Sequence, residues 1–227
     1  MTGEAVVPRL RRTTTGGEAE RTLRELILDG RLEPGTHLRE KQLAASLGVS
    51  RNTLREALRG LAQMGLVTHE PHRGVVVTAL TADDVADLYR LRAVLEPAAL
   101  PFVDEERLDE LQAAIDAFGD ALARGDDVEA LEWDLQFHAV LVEALGSPRL
   151  SAAHERAEGE LRLALLDLDR TYEPPQVEEH RRIVEALRRG DVRNAETALR
   201  EHLDRAAENL KSLVQAKTRL QAPERST

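Results

Sequence analysis

Turn-forming segments divide the chain after Ala79 into long stretches whose apolar residues recur with the spacing of one helix face. The dividing segments are ALPFVDE, RGDD, GSP, TYEPPQ and RGD, all rich in residues that end helices. This pattern predicts helices at 82–100, 105–124, 127–145, 148–169, 175–189 and 192–214. Because the connections are short, consecutive helices must run antiparallel. We therefore predict an all-α antiparallel bundle of about six helices over residues 80–216, followed by a flexible tail at 217–227.

The composition limits how such a bundle can be filled. Apolar residues make up 42% of the 227 residues, but aromatic residues make up only 3%. The core must therefore consist of leucine, alanine and valine, which suits packed helices better than sheets. A chain of this length forms one large domain or two small ones.

The segment before the bundle combines three helical stretches with two short strands, which we place at about 18–29, 39–47, 51–64, 66–69 and 74–78. Gly30 and Gly48 end the first two helices, and Ser50 has the side chain of an N-cap for the third. Three helices and a two-stranded hairpin predict a winged helix-turn-helix over residues 18–79, with a flexible arm at 1–17. The predicted fold is thus mostly α, with two domains.

Charge is distributed unevenly between these two parts. Residues 1–78 contain 12 Lys and Arg against 9 Asp and Glu, a net charge of +3. The remaining 149 residues contain 19 against 32, a net charge of −13. A polyanionic partner is therefore expected only at the first part.

The third helix carries polar side chains on the side away from its apolar residues. A helix that enters the major groove of DNA contacts base edges through residues near its N-terminus. Arginine can donate two hydrogen bonds to guanine, and asparagine or threonine can contact adenine or a thymine methyl group. We predict that the contacts to double-stranded DNA come from this helix and the tip of the hairpin, through Arg51, Asn52, Thr53, Arg55 and Arg73. The alternative interpretation is a surface helix with solvated charges.

The stretch LEPGTHLREKQLAASLGVSRNTLREALRGLAQMGLVTHEPHRGVVV closely resembles the N-terminal domain of GntR-family bacterial transcription regulators, over residues 18–78. The resemblance implies a winged helix-turn-helix whose DNA contacts come from the counterparts of Arg39, Lys41, Ser50, Arg51, Asn52, Arg55, Arg73 and Gly74. Many members have Thr-Pro-Val where this chain has Asn52-Thr53-Leu54, so the preferred operator sequence stays open.

The predicted bundle contains polar residues on its apolar helix stripes. These residues come from four different helices and are Arg92, Asp134, His138, His180 and His202. An unpaired charge in a protein core costs several kcal/mol. Four helices that point polar groups inward therefore need a common partner.

A divalent metal ion would be such a partner. Asp134 and His138 are four residues apart on one helix face and can bind one ion together, with His180 and His202 completing the set. Three imidazoles and one carboxylate suit Zn²⁺ best, and also Ni²⁺, Mn²⁺ or Fe²⁺. Arg92 would then hold a small carboxylate effector. The alternative without metal is a buried Asp134–Arg92 pair.

Arg162 lies on a neighbouring helix, on the same side as Leu161 and Leu165. It is a candidate second effector contact. A solvated arginine is the alternative.

Residues from about 82 to 213 resemble the FCD ligand-binding domain of FadR-type GntR regulators, through LYRLRAVLEP, EWDLQFHAVLVEALGSPRL, EEHRRIVEALRRGD and AETALREHL. In many such domains the positions of Asp134, His138, His180 and His202 ligate a metal, and that of Arg92 binds an organic acid. All four ligand positions are filled in this chain. Six predicted helices after the wing look closer to the VanR-like division than to the seven-helix type.

These expectations combine into a metabolite-responsive transcription regulator, a homodimeric repressor on a pseudo-palindromic operator. The effector would shift the helix at 82–100, which follows the wing almost directly. One alternative is a metal-dependent hydrolase, for which Glu96 is the candidate acid or base. Another is a constitutive DNA-binding protein with a structural metal.

Two further features exclude function classes. The chain contains no cysteine, so disulfides and thiolate metal sites are excluded. Its first residues lack an apolar signal core, and no apolar run approaches the ~20 residues of a membrane span. We therefore expect a cytoplasmic protein.

Overall fold

The structure is a computed structural model that describes residues 15–168 and 174–221. In these residues, the elements in chain order are α1 (Thr15–Leu28), α2 (Glu40–Leu47), α3 (Arg51–Gln63), β1 (Val67–Glu70), β2 (Gly74–Val77), α4 (Ala82–Ala99), a 3-10 turn (Leu100–Phe102), α5 (Glu105–Arg124), α6 (Asp127–Glu143), α7 (Pro148–Asp167), α8 (Pro174–Arg188) and α9 (Val192–Gln221).

Helices α1 to α3 and the two strands form an N-terminal unit, which we call the head. Leu23, Leu54 and Leu61 are fully buried in its core. Strands β1 and β2 pair antiparallel, with Val67 opposite Val77 at the open end of the hairpin. The predicted winged helix-turn-helix is confirmed.

The sharp turn between α2 and α3 forms as its residue types predict. Gly48 ends α2 in the left-handed conformation, with φ of 67°. Ser50 is the N-cap of α3, and its Oγ accepts a hydrogen bond from the backbone N–H of Thr53 at 3.1 Å. The turn thereby fixes the direction in which α3 leaves α2.

Within the described residues, the part after the head contains six α-helices, α4 to α9, which we call the bundle. Its core is built mainly from leucine, alanine and valine, with Phe118 and Phe137 as its largest fully buried side chains. The predicted all-α bundle is confirmed. None of the helices in the described part of the chain could cross a lipid bilayer.

Two helices are longer than predicted. Helix α1 begins at Thr15 rather than at 18; Gly16 is buried, and Ala19 belongs to the core of the head. Helix α9 continues to Gln221, because no glycine or proline interrupts it and Val214 is buried in the bundle core. Residues 15–17 and 217–221 are therefore helical, which corrects the predicted arm and tail. The remainder of that arm and tail lies outside the described residues.

Candidate metal centre and DNA interface

The predicted DNA-contact residues of α2 and α3 lie on the surface of the head. Their side chains are exposed or, for Thr53, partly exposed, and the set comprises Arg39, Lys41, Ser50, Arg51, Asn52, Thr53 and Arg55. The opposite side of α3 carries Leu54, Ala57, Leu58 and Leu61, all buried. The amphipathic pattern of α3 therefore leaves its polar side free for a partner.

Two of the arginines are oriented by nearby carboxylates. Arg55 Nε donates to Glu40 Oε2 at 2.8 Å, and Arg73 Nη1 donates to Glu70 Oε2 at 2.6 Å. Both arginine side chains are more than half exposed. Ion pairs in water contribute little, so a phosphate can replace either carboxylate.

The tip of the wing has an unusual backbone. His72 and Gly74 have φ of 65° and 80°, the left-handed region. A Cβ atom on Gly74 would also lie 3.3 Å from Nε2 of His37, whose backbone bridges to Val76 of β2. Glycine at this position therefore satisfies both the turn and the close contact, and it leaves Arg73 at the exposed tip.

The four predicted metal ligands converge inside the bundle. Asp134 and His138 come from α6, His180 from α8 and His202 from α9, and one potential ligand atom of each lies within 4.8 Å of all the others. The Nε2 atom of His138 lies 3.3 Å from Nε2 of both His180 and His202, and His180 Nε2 lies 3.5 Å from Asp134 Oδ1. We call these four residues the tetrad.

Carboxylates behind the tetrad orient two of its imidazoles. Glu96 Oε2 lies 2.8 Å from Nδ1 of His138, and Glu179 Oε2 lies 2.9 Å from Nδ1 of His202. Each carboxylate accepts a hydrogen bond from the Nδ1–H group, which leaves the Nε2 lone pair pointing into the tetrad. Outer carboxylates of this kind fix the tautomer and orientation of metal-binding histidines.

Two of the tetrad histidines, His138 and His180, are neutral in this environment. Burial, reinforced by the positive charge of Arg92, lowers the pKa of His138 to about 3. Burial also holds the pKa of His180 well below its usual range, with His202 contributing. Neutral imidazoles are the form that binds metal ions, and converging lone pairs favour a cation between them.

Arg92 and Glu96 lie next to the tetrad on α4. Arg92 is 3% exposed, stacks 5.0 Å from the centre of the Tyr89 ring and donates from Nε to Glu96 Oε1 at 2.6 Å. Its Nη2 atom has no hydrogen-bond partner in the described residues. Burial opposes the charge on Glu96, but Arg92 and His138 outweigh it and hold the pKa of Glu96 well below its usual range. The structure thus pairs Arg92 with Glu96, which corrects the expected alternative of an Asp134–Arg92 pair.

Arg162 pairs with a carboxylate outside the tetrad. Both of its terminal nitrogens donate to Glu132 of α6, and it lines a cleft between the head and the bundle with Arg24 and Met64. Within the described residues, these hydrogen bonds of Arg162 reach Glu132 and not the tetrad or Arg92. Its role as a second effector contact stays a prediction.

Three polar residues near the centre were missed from the sequence: His154 and Glu158, which are buried, and Glu179, which is partly buried. Glu179 holds His202, while His154 Nε2 lies 3.2 Å from Glu96 Oε1 and His154 Nδ1 lies 3.5 Å from Glu158 Oε1. Burial raises the pKa of Glu158 well above its usual range. One signal was present, because His154 shares a stripe with the buried residues Ala157, Leu161 and Leu165.

Comparison with known proteins agrees with this arrangement of head and bundle. Residues 15–77 match the family described as bacterial regulatory proteins, gntR family, and residues 87–205 match the FCD domain. The chain is 30% identical over 200 residues to the HTH-type transcriptional regulator YdhC of Bacillus subtilis (strain 168), covering 85% of this chain and 89% of that protein.

Two further relatives have a similar extent. A Paenarthrobacter nicotinovorans protein named "Probable D-xylose utilization operon transcriptional repressor" is 31% identical over 205 residues, covering 88% of this chain and 90% of that protein. A solved structure of a GntR transcriptional regulator from Rhodococcus sp. RHA1 superposes with a TM-score of 0.76 and 31% identity, covering 87% of this chain and 98% of that one. The chain therefore belongs to the GntR family of bacterial transcription regulators and carries an FCD domain.

Proposed function

We propose that the chain is a metabolite-responsive repressor whose head binds a pseudo-palindromic operator and whose bundle binds a divalent metal ion and a small organic acid. The observation that carries this proposal is the convergence of three buried Nε2 atoms and one carboxylate from three helices. The relative named as a repressor of a D-xylose utilization operon supports the direction of regulation.

The donor set fits a metal ion. Asp134, His138, His180 and His202 would hold it, and Glu96 and Glu179 would orient two of the ligands. Imidazole and carboxylate donors favour Zn²⁺, while Ni²⁺, Mn²⁺ and Fe²⁺ accept the same ligands. When bound, the ion would supply positive charge to which an anionic effector is attracted.

The proposal of a carboxylate effector rests on Arg92. Its guanidinium is buried, and Nη2 lacks a hydrogen-bond acceptor in the part of the chain that the structure describes. A buried N–H group without an acceptor is costly, and a planar guanidinium matches the geometry of a carboxylate. An acid bound to Arg92 would supply the missing acceptor and would contact α4. Residues 78–81, which we call the linker, connect α4 to the wing.

A second copy of the chain is the partner that a pseudo-palindromic operator requires. Two-fold symmetry would place the two α3 helices about 34–36 Å apart, one turn of DNA. Val94 on α4 and Phe102 in the following turn are 69% and 63% exposed, and such apolar side chains suit an interface between copies.

The contacts of Glu96 weigh against the hydrolase alternative. Its oxygens accept hydrogen bonds from Arg92, His138 and His154, and its low pKa keeps it ionised. A general acid must carry a proton, and a general base works best with a pKa near the working pH, so a carboxylate with a strongly lowered pKa suits neither role.

The experiment is a DNA-binding titration of zinc-loaded protein with a panel of small organic acids, alongside an assay for chemical change in each acid. We expect at least one acid to weaken operator binding without being converted, and Arg92→Gln to abolish that response. Turnover would instead support an enzyme. If no acid changes either operator affinity or thermal stability, the constitutive alternative is supported.

A further inference from the structure

Helix α7 contacts both units of the molecule. On its side facing the head, Arg156 Nη1 donates to the carbonyl of Ala62 at 3.1 Å, and Leu163 is buried in the core of the head. Gly159 is closer still, because a Cβ atom on it would lie 1.9 Å from the carbonyl oxygen of Met64. Backbone therefore packs directly on backbone, with no side chain between them to absorb a shift of α7.

The segment that α7 contacts connects α3 to β1. Met64 is the C-cap of α3, Gly65 follows with φ of 72°, and β1 starts at Val67. Thr78, at the start of the linker to the bundle, donates from Oγ1 to the carbonyl of Gly65 at 2.7 Å. This segment, residues 62–66, is thus held between α7 and the linker, and it joins the C-terminus of α3 to the wing.

The side of α7 that faces the bundle reaches the metal centre through His154. Its Nε2 lies 3.2 Å from Glu96 Oε1, and the same carboxylate contacts His138 Nδ1 and Arg92 Nε. Glu96 therefore touches a tetrad ligand, the proposed effector-binding arginine and α7 at once. Glu96 and His154 are 0% and 1% exposed, so water does not compete for these hydrogen bonds.

A cleft lies beside α7, between the head and the bundle. It has a volume of about 190 Å³ and is lined by Glu158 and Gly159 of α7 and by Met64 of the head. Glu158 Oε1, next to His154, makes no hydrogen bond within the described residues. Glu158 Oε1 can therefore accept a new hydrogen bond when its neighbours rearrange.

We propose that His154 is a positioning residue that transmits occupancy of the metal and effector centre through α7 to residues 62–66 of the head. This inference rests on the proposed metal site. A metal ion that holds His138, or an acid that competes for Arg92, changes the position of Glu96 and hence its hydrogen bond to His154. Because Gly159 packs on the Met64 carbonyl, the resulting shift of α7 reaches the end of α3.

The test is hydrogen–deuterium exchange of the full chain with and without Zn²⁺, in wild type, His154→Leu and His154→Gln. In wild type we expect zinc to change the exchange rates of α6, α8 and α9, which we call the tetrad helices. We also expect it to change the exchange rates at residues 62–66 by about fivefold or more, the low end of the usual coupling between sites. His154→Leu should keep the change in the tetrad helices and lose it at 62–66. His154→Gln should restore it in part, because a glutamine amide can still donate to Glu96.

The outcomes separate the two proposals. If zinc does not change exchange in the tetrad helices of the wild type, both the proposed metal site and this inference are wrong. Two results would overturn only the inference. In the first, zinc changes exchange in the wild-type tetrad helices but not at residues 62–66. In the second, the change at residues 62–66 persists in His154→Leu. Arg149→Ala, an exposed change at the start of α7, is the matched control and should behave as wild type.

Discussion

The head and the bundle place the same residue types in opposite environments. In the head, Arg55 is 55% exposed and its partner Glu40 is also in contact with water. In the bundle, Arg92 and Glu96 form a comparable pair at 3% and 0% exposure, next to histidines that burial keeps neutral. The polar residues of the head can exchange partners at little cost, whereas those of the bundle hold one another in place.

This difference separates two kinds of work. A surface that binds a polyanion needs charges that water already solvates, so that ion pairs can be exchanged for phosphates. A site that selects one ion and one small acid needs donors whose positions are fixed before binding. Loss of an exposed charged side chain in the head should therefore weaken DNA binding, whereas loss of a buried polar side chain in the bundle should weaken the proposed metal binding or its transmission.

The largest expected effect is the loss of metal from the tetrad. His180→Ala removes one of three converging imidazoles, so zinc affinity should fall by more than the about 10–100-fold that outer residues contribute. Elemental analysis and calorimetric zinc titration measure this change. His69→Ala, an exposed histidine of the wing, is the matched control. Undiminished zinc in His180→Ala would remove His180 from the site.

Outer carboxylates should have the next largest effect. Glu179→Gln weakens the acceptor at Nδ1 of His202 and should lower zinc affinity by about tenfold. Glu178→Gln changes the neighbouring residue, which pairs with Arg181 instead, and should leave the affinity unchanged. Equal affinities in the two variants would mean that Glu179 does not orient its histidine for a metal.

Arg55→Ala should affect the head alone. We expect operator binding to weaken by about 1–3 kcal/mol, with unchanged fold and zinc affinity. Fluorescence anisotropy with operator DNA measures the loss, and Arg90→Ala, an exposed arginine of α4 paired with Asp87, is the control. An unchanged operator affinity in Arg55→Ala would contradict the assignment of α3 as the recognition helix.

The smallest expected effect concerns the cap of α3. Ser50→Ala removes the acceptor for the Thr53 N–H and should lower the free energy of unfolding of the head by about 1 kcal/mol. Urea denaturation measures the change, and Ser46→Ala, an exposed serine inside α2, is the control. A cost no larger than that of the control would show that the cap is dispensable.

The fold was predictable where local chemistry decides it. Gly48 and Ser50 define the turn through their own backbone and side chain, and short breakers separate helices that cannot continue through them. The predicted start of α1 was wrong because burial of Gly16 and Ala19 favours a longer helix, and packing of this kind leaves no local signal. The predicted end of α9 was wrong although a local signal was present, since neither glycine nor proline occurs at 215–221.

The candidate site was predictable in its inner residues only. The tetrad stood out because each member interrupts an apolar stripe of its own helix. The pairs behind it join residues far apart in the chain, such as His138 with Glu96 and His202 with Glu179. Since carboxylates are abundant on these helices, sequence spacing alone could not indicate which carboxylate contacts which histidine or arginine.

The most direct measurement is a crystal structure of the full chain with zinc, using anomalous scattering at the zinc edge. We predict one strong anomalous peak bonded to Asp134, His138, His180 and His202. A map with no peak between those four side chains, or with zinc held only by surface residues, would contradict the metal centre.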